Sequence, residues 1–175
     1  MRKATSVLLA CLPVILAIIG GCNGVKEDCV GFDPKNIEVK DVNGSWKIVE
    51  GGHWIMDFGS NEEEARMACD IIKHYGITSH CFVGRPDASM TYYLVNGKPP
   101  TGSYPGEDCI TFNPDNIVVV EVNGSWRIVE GSQQLIDFGD KSGEATLAAT
   151  FIKKYGFTHI CYVGRPNPSM TYFRK

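Results

Sequence analysis

Residues 37 to 58 alternate apolar and polar positions, through Ile37-Glu38-Val39-Lys40, Trp46-Lys47-Ile48 and Trp54-Ile55-Met56-Asp57-Phe58, ending at Gly59. A period of two places one face of each segment inward, which predicts three strands. Asn43-Gly44 joins the first two and is the preferred pair for a tight hairpin turn, where both residues need positive φ. Beyond Gly59 the period becomes helical, with Ala65, Ala68, Ile72 and Tyr75 on one face. Ser60 and Glu63 form a capping box, Glu62 to Glu64 suit the positive end of a helix, and Gly76 stops it. Ile77 to Val83 reads as a strand, Gly84-Arg85-Pro86 as a break, and Met90-Thr91-Tyr92-Tyr93 as a final short strand. The expected unit is β-β-β-α-β-β, an α+β fold with one helix on a small antiparallel sheet.

The same pattern occurs twice. Glu27 to Leu94 aligns without a gap onto Glu107 to Arg174. Roughly half the positions are identical, the mark of an internal duplication. Cys29 falls on Cys109, Trp46 on Trp126, Asp57 on Asp137, Cys81 on Cys161 and Arg85 on Arg165. In the second helix Ala145, Ala148, Ile152, Tyr155 and Gly156 repeat the pattern, and of the capping acids only Glu144 is kept. The modules run over 29–94 and 107–175, and the Gly- and Pro-rich stretch 95–106 between them reads as a linker. A copy of about 70 residues has a marginal core when alone.

The amino terminus has a different character. Met1-Arg2-Lys3 precedes an apolar run from Ala4 to Ile19 and then Gly20-Gly21-Cys22, the layout of an export signal over residues 1–21. Ile19-Gly20-Gly21-Cys22 resembles the lipobox of prokaryotic lipoproteins, departing from it only in having Ile19 where leucine is commonest. That resemblance implies cleavage before Cys22, lipidation of its thiol, and residues 22–28 as a tether. Asn23, not Asp, follows the cysteine, which in a Gram-negative host implies sorting to the outer membrane. Attachment would then come from acyl chains, each buried methylene contributing ~0.8 kcal/mol. An ordinary secreted protein cut nearby, or an uncleaved anchor, is the other reading.

Charge removes some partners. The formal net charge is −3, and losing Arg2 and Lys3 with the signal takes it to −5. With no Lys/Arg run, an acidic chain has no electrostatic footprint for nucleic acid or for anionic lipid. Cys29, Cys81, Cys109 and Cys161 repeat, whereas Cys69 has Ala149 as its counterpart. In an oxidising compartment this suggests Cys29–Cys81 and Cys109–Cys161 bridges, although symmetry also permits crossed pairs. A four-cysteine zinc site is the rival, disfavoured because no C-x-x-C pair is present. Cys69 reads as a buried free thiol.

The best-kept segment is Val83-Gly84-Arg85-Pro86-Asp87-Ala88-Ser89-Met90-Thr91-Tyr92, with its partner running from Val163 to Tyr172. A guanidinium fork beside hydroxyls can grip a carboxylate-bearing sugar or peptide. The candidate ligand residues are therefore Arg85, Ser89, Tyr92, Arg165, Ser169 and Tyr172. A structural role competes, with Arg85 paired to Asp57 and Arg165 to Asp137. Trp46 and Trp126 share strand parity with Ile48 and Ile128 and should pack inward. Trp54 and His53 face Gln134 and Gln133 in the alignment, so they belong to free surface or to a site peculiar to the first copy.

Catalytic signatures are missing. Asp57-Phe58-Gly59 lacks the other kinase motifs, the histidines lack metal spacings, and no G-x-S-x-G occurs. Asn43-Gly44-Ser45 and Asn123-Gly124-Ser125 match glycosylation sequons but are explained by the turns. The run W-x-I-V-E-G, D-F-G, Y-G and C-x-V-G-R-P-x-x-S-M-T-Y resembles a repeat module of secreted microbial proteins, a likeness that implies no activity. The expectation is a lipid-anchored, non-enzymatic envelope protein without metal or cofactor, whose tandem modules bind a cell-wall or surface glycan. The alternative partner is an envelope protein, with this chain as inhibitor or accessory subunit.

Overall fold

A computed structural model describes residues 26–175, so the expected signal segment and Cys22 lie outside the described residues. The first copy contains β1 (Asp28–Gly31), β2 (Ile37–Val42), β3 (Ser45–Glu50), β4 (His53–Asp57), α1 (Glu62–Tyr75), β5 (Ser79–Val83) and β6 (Met90–Leu94). The second contains β7 (Asp108–Thr111), β8 (Ile117–Val122), β9 (Ser125–Glu130), β10 (Gln133–Asp137), α2 (Ser142–Tyr155), β11 (His159–Val163) and β12 (Met170–Arg174). The class is α+β, with small antiparallel sheets and two helices. Each copy holds two three-stranded sheets in place of one: β2-β3-β4 and β1-β5-β6 in the first, β8-β9-β10 and β7-β11-β12 in the second. The opening strand of each copy escapes the sequence pattern because it is short and does not alternate. All four residues of β1 are exposed, and the strand is held by pairing with β5, where Cys29 lies opposite Cys81.

The hairpins form at Asn43-Gly44 and Asn123-Gly124, all four residues at positive φ. Gly76 and Gly156 end the helices in the left-handed conformation. The capping box does not form. The N-caps are Asn61 and Lys141, neither making a side-chain cap bond, and in the first copy the helix begins one residue too late for Ser60 to take that place. Both bridges stay within a copy, Cys29–Cys81 and Cys109–Cys161. This excludes crossed pairing and occupies the sulfurs a zinc site would need. The one grouping of metal-type donors among the described residues, Glu107 with Cys109 and Cys161, contains such a bridge. Cys69 is buried and free.

The copies are not beads. Strands β6 and β12 lie side by side, with Thr91 Oγ1 donating to the Thr171 carbonyl at 3.4 Å. Along β5 and β6, Cys81, Val83, Met90, Tyr92 and Leu94 bury one face in a core shared with α2 and β8–β10 of the second copy. Reciprocally, Cys161, Val163, Met170 and Tyr172 enter the core built on α1 and β2–β4 of the first copy. Each hydrophobic core therefore draws side chains from both halves. Polar contacts follow the same exchange. Tyr155 in α2 donates to Glu27 at 2.7 Å, and Tyr75 in α1 donates to Glu107. Glu27, expected to lie in a tether, is thus part of the folded unit. Within the linker, Val95 and Tyr104 pack against the core of the first copy.

Candidate functional site

The Gly-Arg-Pro turns are first of all joints between the copies. Gly84 has φ +86° and Gly164 φ +84°, a region costly for any side chain. A Cβ at Gly84 would collide with the carboxylate of Glu144, and one at Gly164 with that of Glu64. Each turn therefore seats the first turn of the other copy's helix, and Lys141 Nζ adds a bond to the Asp87 carbonyl at 2.9 Å. The arginines do not pair as the alignment suggests. Arg85 Nε lies 3.2 Å from Asp28, with its guanidinium 3.8 Å over the Phe82 ring. Arg165 forks onto Asp108 through two bonds of 2.5 Å and covers Tyr162. Asp57 is taken by Lys47, Ser45 and the Gly59 N–H, which together hold its carboxyl at about 2. Asp137 is engaged in the same way by Ser125, the Gly139 N–H and Arg127. The sequence pointed to the wrong acids because Asp28 and Asp108 sit on strands it did not reveal.

Beside these joints lie two related clefts. The first, about 470 Å³, runs between β4 and the β5–β6 hairpin and is closed by Ser169 and Thr171 of the second copy. Trp54 stands at its edge and is 64% exposed, with Lys47 Nζ 4.7 Å from the ring centre on one face. Val30, Phe82 and Tyr93 supply apolar surface, and Arg85 and Thr91 supply polar groups. His80 also lines the cleft, only 6% exposed, its ring stacked on Tyr93 at 4.4 Å and 4.0 Å from Phe82. Neither ring nitrogen has a hydrogen-bond partner, and Ser169 Oγ is likewise buried and unpaired. Burial, with Arg85 nearby, holds the imidazole far below its usual range, at about 3. It is neutral at physiological pH.

The second cleft occupies the matching place in the other half, between β10 and the β11–β12 hairpin, and is smaller at about 280 Å³. Ser89, Met90 and Thr91 of the first copy close it. Where the first cleft has Trp54 and His80, the second has Gln134 and Ile160 in the alignment. A wider hollow of about 610 Å³ lies against linker residues Pro99 and Pro100, but none of its lining side chains is buried and unpaired.

The candidates chosen from sequence scatter over these surfaces. Arg85 and Ser169 share the first cleft although they belong to different copies. Ser89 and Ser169 line the second. Tyr92 and Tyr172 are almost wholly buried in the two cores, Tyr172 donating to Glu107 at 2.7 Å. Arg165 lines neither cleft. His80 and Thr91 were not singled out as ligand residues, and the signal that could have found His80 is its lack of a counterpart. Trp54 carried that signal. No protein-family model, curated protein or solved structure matches the chain, so the class defined here is architectural: an interlocked pair of α+β repeats with one enlarged cleft. The disulfides fit an oxidising compartment. No helix among the described residues is long and apolar enough to cross a membrane.

Proposed function

We propose that this is an exported, lipid-anchored envelope protein that binds a cell-wall or surface glycan without acting on it chemically. The observation that carries the reading is Trp54, an aromatic ring left largely exposed at the mouth of a cleft lined with hydroxyls. An indole presents a broad apolar face to a sugar ring while polar neighbours fix the ring's edge, and the exposure needs a reason that core packing does not give. Arg85, Ser169 and Thr171 add donors around it. Anchoring rests on the Ile19 to Cys22 segment, with acyl chains on Cys22 as the membrane contact.

The test is retention of residues 24–175 on extracted envelope polysaccharide, beside a Trp54→Ala variant. Wild type should be retained and the variant released early. Equal retention of both would remove Trp54 from the site. Membrane fractionation of full-length protein with Cys22→Ala tests the anchor, and the variant should move to the soluble fraction. A second reading, a protein partner, is favoured by edge strand β8, which leaves Val118 and Val122 exposed beside unpaired backbone. Co-purification of one envelope protein at fixed stoichiometry would support it.

A further inference from the structure

We infer that the first cleft reads the hydroxyl groups of an uncharged sugar, through His80 and Ser169, and that its counterpart in the second copy takes no sugar. This rests on the glycan reading above and sharpens it. The charges at the cleft are already matched by protein partners: Arg85 by Asp28 at 3.2 Å, and Asp57 by Lys47. An acidic ligand would have to compete for Arg85. What lacks partners is neutral. His80 carries one ring donor and one acceptor, both buried and unpaired, and Ser169 Oγ is in the same condition. Leaving such groups buried and unpaired is costly, a penalty that a ligand able to pair them would relieve.

A sugar hydroxyl both donates and accepts, so two neighbouring hydroxyls match a neutral imidazole, whereas a carboxylate can only accept. Both ring nitrogens are closed to water in this arrangement, so pairing requires the ring to turn within its Phe82–Tyr93 stack toward the cleft it lines. Trp54 then supplies the apolar platform. The second cleft has neither device. Ile160 fills the place of His80 and Gln134 the place of Trp54, leaving a smaller space walled by Leu135, Tyr162 and Phe173. Ser169 borders both clefts, so what sets the first apart is an unpaired imidazole beside an exposed indole.

The experiment uses residues 24–175 on a printed array of neutral oligomers (glucose, galactose, mannose, N-acetylglucosamine) and acidic ones (galacturonate, sialylated), followed by calorimetry with the best binder. The expected result is a neutral oligomer bound at one equivalent per chain. His80→Ile and Trp54→Gln, which install the second cleft's own residues, should each weaken it by about ten-fold or more. Gln134→Ala should leave it unchanged. Near-UV circular dichroism verifies folding, which His80→Ile should keep because Ile160 fills the matched position. Preference for the acidic oligomers overturns the uncharged-sugar inference and leaves the glycan reading standing. So does neutral binding at two equivalents, or binding indifferent to both variants. No binding anywhere on the array overturns both.

Discussion

The two clefts are built from the same strands, closed by the same Ser-Met-Thr segment, and related by the same exchange of partners, yet they differ in content. One holds Trp54, His80 and Arg85 in about 470 Å³; the other holds Ile160 and apolar walls in about 280 Å³, and Gln134, the counterpart of Trp54, is not among its lining. The closing Ser-Met-Thr segment is kept in both copies, while the walls change conservatively, Phe82 to Tyr162 and Tyr93 to Phe173. The sharpest differences fall at Trp54 and His80, which align with Gln134 and Ile160, whereas Arg85 has its match in Arg165, outside the second cleft's lining. The kept Gly-Arg-Pro turns join the halves, and the mismatches at Trp54 and His80 mark where the first cleft departs from the second.

The largest effect should come from breaking the relation altogether. Residues 26–98 expressed alone lack α2 and β8–β10, against which Met90, Tyr92 and Leu94 are buried. The fragment should show no cooperative thermal transition as a monomer by circular dichroism and sedimentation. Self-association into a pair that mimics the two-copy fold is the one folded form it can reach. A stable folded monomer would contradict the shared cores.

Removing one bridge is the next largest change. Each closes a 52-residue separation. Replacing Cys109 and Cys161 together by alanine should lower the unfolding free energy by about 2–5 kcal/mol, read from urea midpoints. Cys81 and Cys161 are both fully buried, so the matching change in the first copy should cost about the same. Unequal losses would show that the halves contribute differently to one cooperative unit.

His80 separates the copies by pH. Its folded pKa, about 3, lies below the ordinary 6.5, so between those values the unfolded chain binds a proton that the folded chain refuses. Stability should therefore fall as pH drops through that window, by about 2–3 kcal/mol between pH 7 and pH 4.5. His80→Ile should remove most of the slope there, leaving the part due to His159, whose imidazole burial also holds below its usual range. Glu107 acts in a lower window. Burial pushes its carboxyl up, but bonds from Tyr75 and Tyr172 and the charge of Arg174 prevail and lower it. Its contribution should be present above the usual carboxylate range and disappear under stronger acid. An unchanged slope above pH 5 in His80→Ile would place the sensitivity elsewhere.

The smallest effect tests an unmatched residue that does no work. Cys69 is buried and faces Ala149 in the alignment. Cys69→Ala should change stability by less than about 1 kcal/mol in urea titrations, since the removed atom is small. A larger loss would mean that the thiol packs where Ala149 does not.

How much of this was legible in the sequence depended on range. Ile37 to Phe58 declared its strands by alternation, Asn43-Gly44 its turn, and Gly76 its helix end, because each depends on neighbours in the chain. The repeat symmetry of the cysteines pointed to the observed bridges. Strand β1 was silent, since four exposed residues held by a partner strand leave no periodic trace. That omission misdirected the arginine pairing from Asp28 to Asp57. The exchange of cores was equally hidden: an apolar Tyr92 reads the same whether it meets its own helix or the other copy's. For the site, the Gly-Arg-Pro turns stood out for being kept, and they proved to be joints. Trp54 was visible as a mismatch, but His80 became a candidate only when its unpaired nitrogens could be seen.

The shared cores also impose a timetable. A chain emerges from its amino end, so Cys29 and Cys81 can meet and bond early, while the surface around Tyr92 has nothing to rest on. Its companions Phe151 and Phe157 arrive more than fifty residues later. Until then the leading half carries an unfinished apolar face, tied by its bridge yet unable to close. Folding completes only as the tail arrives, and any stall between residues 98 and 150 leaves a half-built molecule looking for a partner.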